Sequence, residues 1–298
     1  MTASLSNHAK GLLLTGFGGL VLTLDIPLIR LASGEHWSVL LARSAATLCV
    51  TLIVWFAWKL IRGNVPALVP GWTGLLVAAL YGASSTAFLT AVFYTSTANL
   101  VFILAFNTMF AALLSWVFLG ERPSRATMIA MAFMLLGVGI IVGDSVGTGN
   151  LFGDMLALVA ALLIAGAITV SRATGKDMGF AALVAVALPL LVAAVMLPDA
   201  GVWIEAPWWI LFNGAVVIPI AFFCLANGPK YISAPEVAMF YLLETVLAPV
   251  WVWMIFAEQP SRNSLIGGAI LIATLIIHTL WQISRSRQRI PRGAGQAV

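Results

Sequence analysis

Long apolar runs separated by short polar turns fill the chain from residue 11 to residue 284. They predict helices over 11–31, 36–58, 72–94, 97–118, 126–143, 153–172, 180–198, 207–227, 235–256 and 264–284. Each run is about 20 residues long, the length a helix needs to cross the hydrocarbon of a bilayer. Within lipid every backbone polar group must be paired internally, so only helices and closed barrels can span it. Alternating strands of about ten residues, the mark of a barrel, are absent. The pattern therefore predicts an all-α integral membrane protein with ten transmembrane helices.

The polar turns repeat. Phe118-Leu119-Gly120-Glu121-Arg122-Pro123-Ser124-Arg125 returns as Phe256-Ala257-Glu258-Gln259-Pro260-Ser261-Arg262, with Glu, Pro, Ser and Arg in register at an offset of 137. Tyr94 and Trp116 find Tyr231 and Trp253 at the same offset. The chain thus reads as two copies of one module. The expected divisions are an N-terminal segment 1–10, a first five-helix repeat 11–143, a second five-helix repeat 144–284 and a basic tail 285–298. An odd number of crossings per module inverts the second copy. The result is a 5+5 inverted repeat around a central cavity, the plan of many secondary transporters.

Composition agrees. Hydrophobic residues make up 61% and charged residues 9% of the chain, against about 25% charged in a soluble domain. Lys10, Lys59, Arg62, Arg122, Arg125, Arg172, Lys176 and Lys230, with four arginines in the tail, lie on one side of the predicted bundle, leaving Arg30, Arg43 and Arg262. The positive-inside rule then places both termini in the cytoplasm. The eleven tryptophans fall near predicted span ends, where an amphipathic ring sits at the interface.

Candidate chemistry is sparse. Cys49 and Cys224 lie inside spans, and His8, His36 and His278 are scattered. No metal-ligand pattern, no P-loop and no nucleophile with a partner base is present, so neither a metal nor a cofactor is expected and an intramembrane enzyme is poorly supported. No span shows a sustained polar face, which argues against a passive channel. Polar groups at membrane depth are costly and mark pathways or sites. Asn99 and Asn107 in span 4 map onto Glu236 and Glu244 in span 9 by the same offset of 137. Asn107 and Glu244 sit near the midplane, where inverted-repeat transporters place their substrate. Helical spacing puts Asn99, Phe102, Phe106 and Phe110 on one face, and Glu236, Phe240 and Glu244 on another beside Tyr241. Tyr81 is also near the midplane. The expected substrate-binding set is Tyr81, Asn99, Phe102, Phe106, Asn107, Tyr241 and Glu244. Asp25, Arg30 and Arg43 form either an ion pair that gates or braces spans 1 and 2, or part of the substrate site. Glu236, after Pro235, is expected to cap span 9. Gly139-x-x-x-Gly143 and Gly267-Gly268-Ala269 mark spans 5 and 10 as closely packed scaffold.

The sequence resembles the drug/metabolite transporter superfamily, in its EamA-type ten-span exporters. The residues that carry the likeness are Gly120-Glu121-Arg122-Pro123-Ser124 after span 4, its echo at Glu258, Leu41-Ala42-Arg43 in span 2 and Leu243-Glu244-Thr245 in span 9. Two departures stand out. Thr245 replaces the proline of the family's Leu-Glu-Pro, and Asn107 stands where members often carry proline. Within the family the chain is most similar to the aromatic amino acid exporters of the YddG type, through Tyr81, Phe93-Tyr94 and Asn227-Gly228-Pro229-Lys230. The resemblance implies export of aromatic amino acids and related metabolites by alternating access, or of other small metabolites or drugs that the same superfamily exports. It also implies a multi-pass protein of the bacterial inner membrane. The expected partners are a small-molecule substrate and the lipid bilayer, with no nucleic acid, and the expected state is a monomer.

The topology is testable by accessibility. Single cysteines at Gly147 and Gly201, with Cys49 and Cys224 removed, label from outside intact cells, and cysteines at Ser124 and Lys176 do not. The reverse pattern overturns the orientation.

Overall fold

A computed structural model describes residues 7–63, 65–120, 122–148, 150–174, 176, 178–199, 201–227 and 234–288. Glu121 and the 228–230 stretch, both singled out above, fall outside the described residues, as do the side chains of Glu236 and Tyr241. Every described element apart from one isolated bridge, Gly34 with Ile204, is helical.

The first crossing is split into α1 (Asn7–Leu22) and α2 (Asp25–Ala32). Pro27 explains the break. Proline has no N–H to give to the carbonyl four residues back, and its ring clashes there, at Thr23. Unbroken helices α3 (His36–Arg62) and α4 (Gly71–Tyr94) follow. The next crossing is split again, into α5 (Thr97–Leu104) and α6 (Asn107–Leu119), then come α7 (Arg125–Thr148) and α8 (Leu151–Thr174). Helices α9 (Gly179–Val184) and α10 (Ala187–Met196) are parted at Ala185, four residues before Pro189. Helix α11 (Pro207–Phe212) runs through a π-turn at Asn213–Val217 into α12 (Ile218–Asn227), with Pro219 just beyond the wide turn. Helices α13 (Ala234–Phe256) and α14 (Arg262–Gln288) complete the bundle.

Eight helical segments among the described residues are long and apolar enough to cross a membrane, from Ala9–Ala32 to Pro207–Leu225. Two shorter apolar stretches, Leu243–Phe256 and Arg262–His278, belong to α13 and α14. The exposed residues are what lipid contact demands: Ile53, Phe56, Val117, Phe118, Val195 and Ile277 are all more than half exposed.

Close packing rests on small residues. Gly137 on α7 and Gly267 on α14 face one another so tightly that a Cβ on either meets the other's carbonyl at 2.9 and 2.6 Å. Gly139 and Gly143, expected above to make this contact, have nothing within 4 Å. Spacing alone had pointed to a small-residue face that is turned away from the neighbouring helix. Gly18 and Gly19 lie inside the continuous helix α1. They let it lie against Cys224 and Ala221 of α12 and the Phe240 backbone of α13. Glu35 caps α3 by accepting from the amides of Trp37 (3.0 Å) and Ser38 (2.8 Å). Burial pushes its carboxyl up, but these amides, the Ser38 hydroxyl and His36 outweigh that and hold it below the usual range.

Gly267→Leu is expected to lower the thermal stability of the purified protein by about 1–3 kcal/mol, the usual cost of overpacking, while Gly139→Leu leaves it unchanged. Unfolding curves in detergent check this. Equal effects at both positions contradict the assigned contact.

Candidate functional site

The break between α1 and α2 sets Asp25 in the first turn of a new half-helix at membrane depth. A carboxylate there complements the positive end of the helix dipole. Opposite it, Arg43 of α3 donates through Nη2 to both Asp25 oxygens, at 3.0 and 2.9 Å. Asn213, the first residue of the π-turn, closes a ring. Its Oδ1 accepts from Arg43 Nε at 3.0 Å, and its Nδ2 donates to Asp25 Oδ1 at 2.8 Å. All three side chains are buried. Buried charges are tolerated when paired and hydrogen-bonded, as these are to one another and to Asn213. Thr47 adds a bond from its hydroxyl to Gly214 O at 2.8 Å, tying α3 to the π-turn.

Glu244 of α13 completes the constellation differently. It is enclosed by protein and feels both the Asp25 carboxylate and the Arg43 guanidinium. Its surface nevertheless remains partly accessible to a water-sized sphere. Glu244 therefore lies deep in the bundle with part of its side chain still open to contact. Among the described residues no hydrogen bond or ion pair engages it. Asp25 and Arg43 neutralise each other, so the pair itself adds no net charge beside Glu244.

A second polar cluster stitches one end of the bundle. Arg30, near the end of α2, pairs with Glu258 at 2.7 Å and donates to the carbonyls of Thr95 (3.0 Å) and Val92 (3.3 Å). Glu258 also accepts from the Thr97 amide at 2.8 Å, which satisfies an orphan donor at the start of α5. Asp154 of α8, fully buried, accepts from the Thr95 hydroxyl and, at 3.3 Å, from Asn99 Nδ2. Asn99 in turn accepts from Ser264 of α14. Asp25 and Arg43 are therefore partners, whereas Arg30 belongs to this separate end cluster.

The remaining sequence-derived candidates are dispersed. Asn99 lies in the end cluster. Phe102 is buried against α14, where its ring fills the space beside Gly268. Phe106 is buried at the α5–α6 break and stacks edge-on with Phe110 at 5.1 Å. Asn107 opens α6 and is half-buried. Tyr81 packs in a satellite cluster with Val77, Ala167, Met178 and Ala181. Tyr241 lies on α13, three residues before Glu244, with its side chain outside the described residues. Asn213 and Asp154 were not singled out in the sequence. Both are polar residues inside apolar runs, and that signal alone could have drawn attention to them. Trp251 also departs from the expected interfacial role, because its indole N–H reaches the Thr23 hydroxyl at the α1–α2 break at 3.1 Å.

The Asp25–Arg43 pair makes a stability prediction. Arg43→Met strands two carboxylates and is expected to cost about 3–5 kcal/mol, whereas Asp25→Asn with Arg43→Met removes the stranded pair partner and recovers part of that loss. Thermal unfolding of the purified variants measures it. A double variant no more stable than the single one contradicts the pairing.

Comparison with known proteins adds the wider context. The profile of the EamA-like transporter family matches twice, over residues 9–143 and again over 151–280. An uncharacterized transporter of Archaeoglobus fulgidus is 25% identical over 166 residues, a match covering 54% of this chain and 59% of that protein. This chain thus covers less than two thirds of that relative's length. A protein solved by crystallography shares the fold with a TM-score of 0.62 at 21% identity, covering 91% of this chain and 98% of that one. Two family matches that together span most of the chain, on an all-helical membrane bundle, establish that this protein belongs to the EamA-like transporter family.

Proposed function

We propose that this membrane transporter exports aromatic amino acids and related small metabolites by alternating access, with Glu244 holding the substrate ammonium group. The observation that carries the reading is the enclosed, accessible and unengaged Glu244 beside a neutralised Asp25–Arg43 pair. An ammonium group arriving beside Glu244 favours the ionised form of that carboxyl, and in a low-dielectric setting the attraction between the two is strong. Phe106 and Asn107 supply ring and amide contacts near the same depth in this reading. Tyr81 and Phe102 lie farther out in the packing.

The proposed architecture is ten crossings in two inverted halves, with both termini in the cytoplasm of a bacterial cell and the protein in its inner membrane. The double family match and the packing partners support it. Helix α4 packs on α8 as α12 packs on α1, and α3 on the π-turn segment as α10 on α4. These are the pairings that a pseudo-twofold exchange of halves requires. The breaks at Thr23–Leu24, Ala105–Phe106 and Ala185–Val186 are points where half-helices can tilt independently. Arg30 and Glu258, which join the two halves, hold the outer end shut in this scheme and part when the substrate leaves.

Reconstituted protein tests the reading by counterflow of labelled tryptophan, phenylalanine, alanine and indole. Saturable transport of the aromatic amino acids is expected. Glu244→Gln, which keeps shape but removes charge, is expected to raise KM for tryptophan about ten- to a hundredfold, the worth of a charged hydrogen bond. Unchanged tryptophan transport by a folded Glu244→Gln protein overturns the ammonium assignment. A preference for alanine over the aromatic substrates overturns the substrate class.

A further inference from the structure

We propose that Asn213 is a positioning residue: it commits Arg43 to Asp25 and so leaves the Glu244 carboxylate available to a cation. The inference rests on Glu244 being the ammonium site. Arg43 lies within electrostatic reach of two carboxylates, Asp25 and Glu244. If it turned to Glu244, or were shared between both, Glu244 would no longer be open to a cation.

Asn213 decides between the two. A guanidinium is a rigid planar fork, and Nε with one Nη forms one of its edges. Asn213 Oδ1 takes Nε at 3.0 Å and Asp25 takes Nη2 at 3.0 and 2.9 Å. The other end of the same amide holds the acid. Nδ2 donates to Asp25 Oδ1 at 2.8 Å and to the Asp25 carbonyl at 3.2 Å. One neutral side chain therefore fixes both partners of the pair and adds no charge of its own.

The backbone is built to deliver that amide. Asn213 opens the π-turn, a wide turn that shifts the side chains following it and recurs at functional sites. The next residue, Gly214, lets the turn press against α3: a Cβ there would lie 2.5 Å from the Arg43 carbonyl. Thr47 then bonds both the Arg43 and Gly214 carbonyls, at 2.9 and 2.8 Å. One short segment of a neighbouring helix thus packs against the Arg43 main chain through Gly214 and bonds its guanidinium through Asn213. Its orientation is set from outside its own helix.

Binding of tryptophan and of indole, which lacks the ammonium, to the purified full chain in nanodiscs provides the test. Asn213→Leu is expected to weaken tryptophan binding about tenfold and to leave indole binding unchanged. Joined to Glu244→Gln, it is expected to add nothing to the loss caused by Glu244→Gln alone. Should Asn213→Leu fail to fold, Asn213→Ala carries the same expectation. Equal losses for tryptophan and indole, or additive losses in the double variant, overturn the positioning role and leave Asn213 as packing. Undiminished tryptophan binding in Glu244→Gln, or no tryptophan binding by the parent, overturns the ammonium reading itself and this inference with it. A loss in Glu244→Gln with none in the Asn213 variants overturns this inference alone.

Discussion

A charge placed in hydrocarbon must be compensated within the protein, and the interior of this bundle is arranged around how that is done. Arg43 and Asp25 sit far from water and survive there because Asn213 fills the hydrogen-bonding capacity that the pair leaves open. That arrangement joins α2, α3 and the π-turn at one point. It thereby fixes how the first, second and eighth predicted crossings approach each other. The breaks and glycines answer to the same demand. Pro27 ends one half-helix so that Asp25 can begin another, and Gly214 removes the side chain that would hold the π-turn away from Arg43.

Neutralising one acid and leaving the second unengaged creates an asymmetric site. Glu244 is enclosed but accessible, the state of a group meant to exchange partners. The end cluster is the opposite case. Arg30, Glu258, Thr97, Asp154 and Asn99 engage one another and link span ends from both halves. Among the described residues, the buried Arg30 Nε and Thr97 Oγ1 are without a hydrogen bond there. The interior thus holds one acid without a partner among the described residues, and one end of the bundle holds a cluster that ties elements of both family matches together.

Much of the architecture was legible because lipid is a stringent solvent. Each long apolar run is helical in the structure, and Pro27 and Pro189 sit beside breaks as proline chemistry requires. The site was legible only in part. Asp25, Arg43 and Glu244 stood out as charges inside apolar runs, and the structure brings them into one constellation. Arg30 carried the same signal but belongs to the end cluster, because periodicity gives depth and face without naming the neighbour. Asn213 escaped notice since one amide in an apolar run is a weak mark, and the π-turn that aims it has no sequence signature of its own. The same limit explains the glycines. Gly137 rather than Gly139 makes the helix crossing, a distinction set by rotation about the helix axis and by the partner's position.

The central claim is that Glu244 is the unengaged acid of the site and that substrate ammonium occupies it. Carbodiimide labelling followed by peptide mass spectrometry measures this directly, since dicyclohexylcarbodiimide enters apolar sites and modifies carboxyls that can take up a proton, which a carboxylate held by arginine does not. The account predicts modification at Glu244 and not at Asp25, with protection of Glu244 by saturating tryptophan and no protection by indole-3-propionate, which lacks the ammonium. Modification of Asp25 in preference to Glu244, or labelling of Glu244 that tryptophan leaves unchanged, contradicts it.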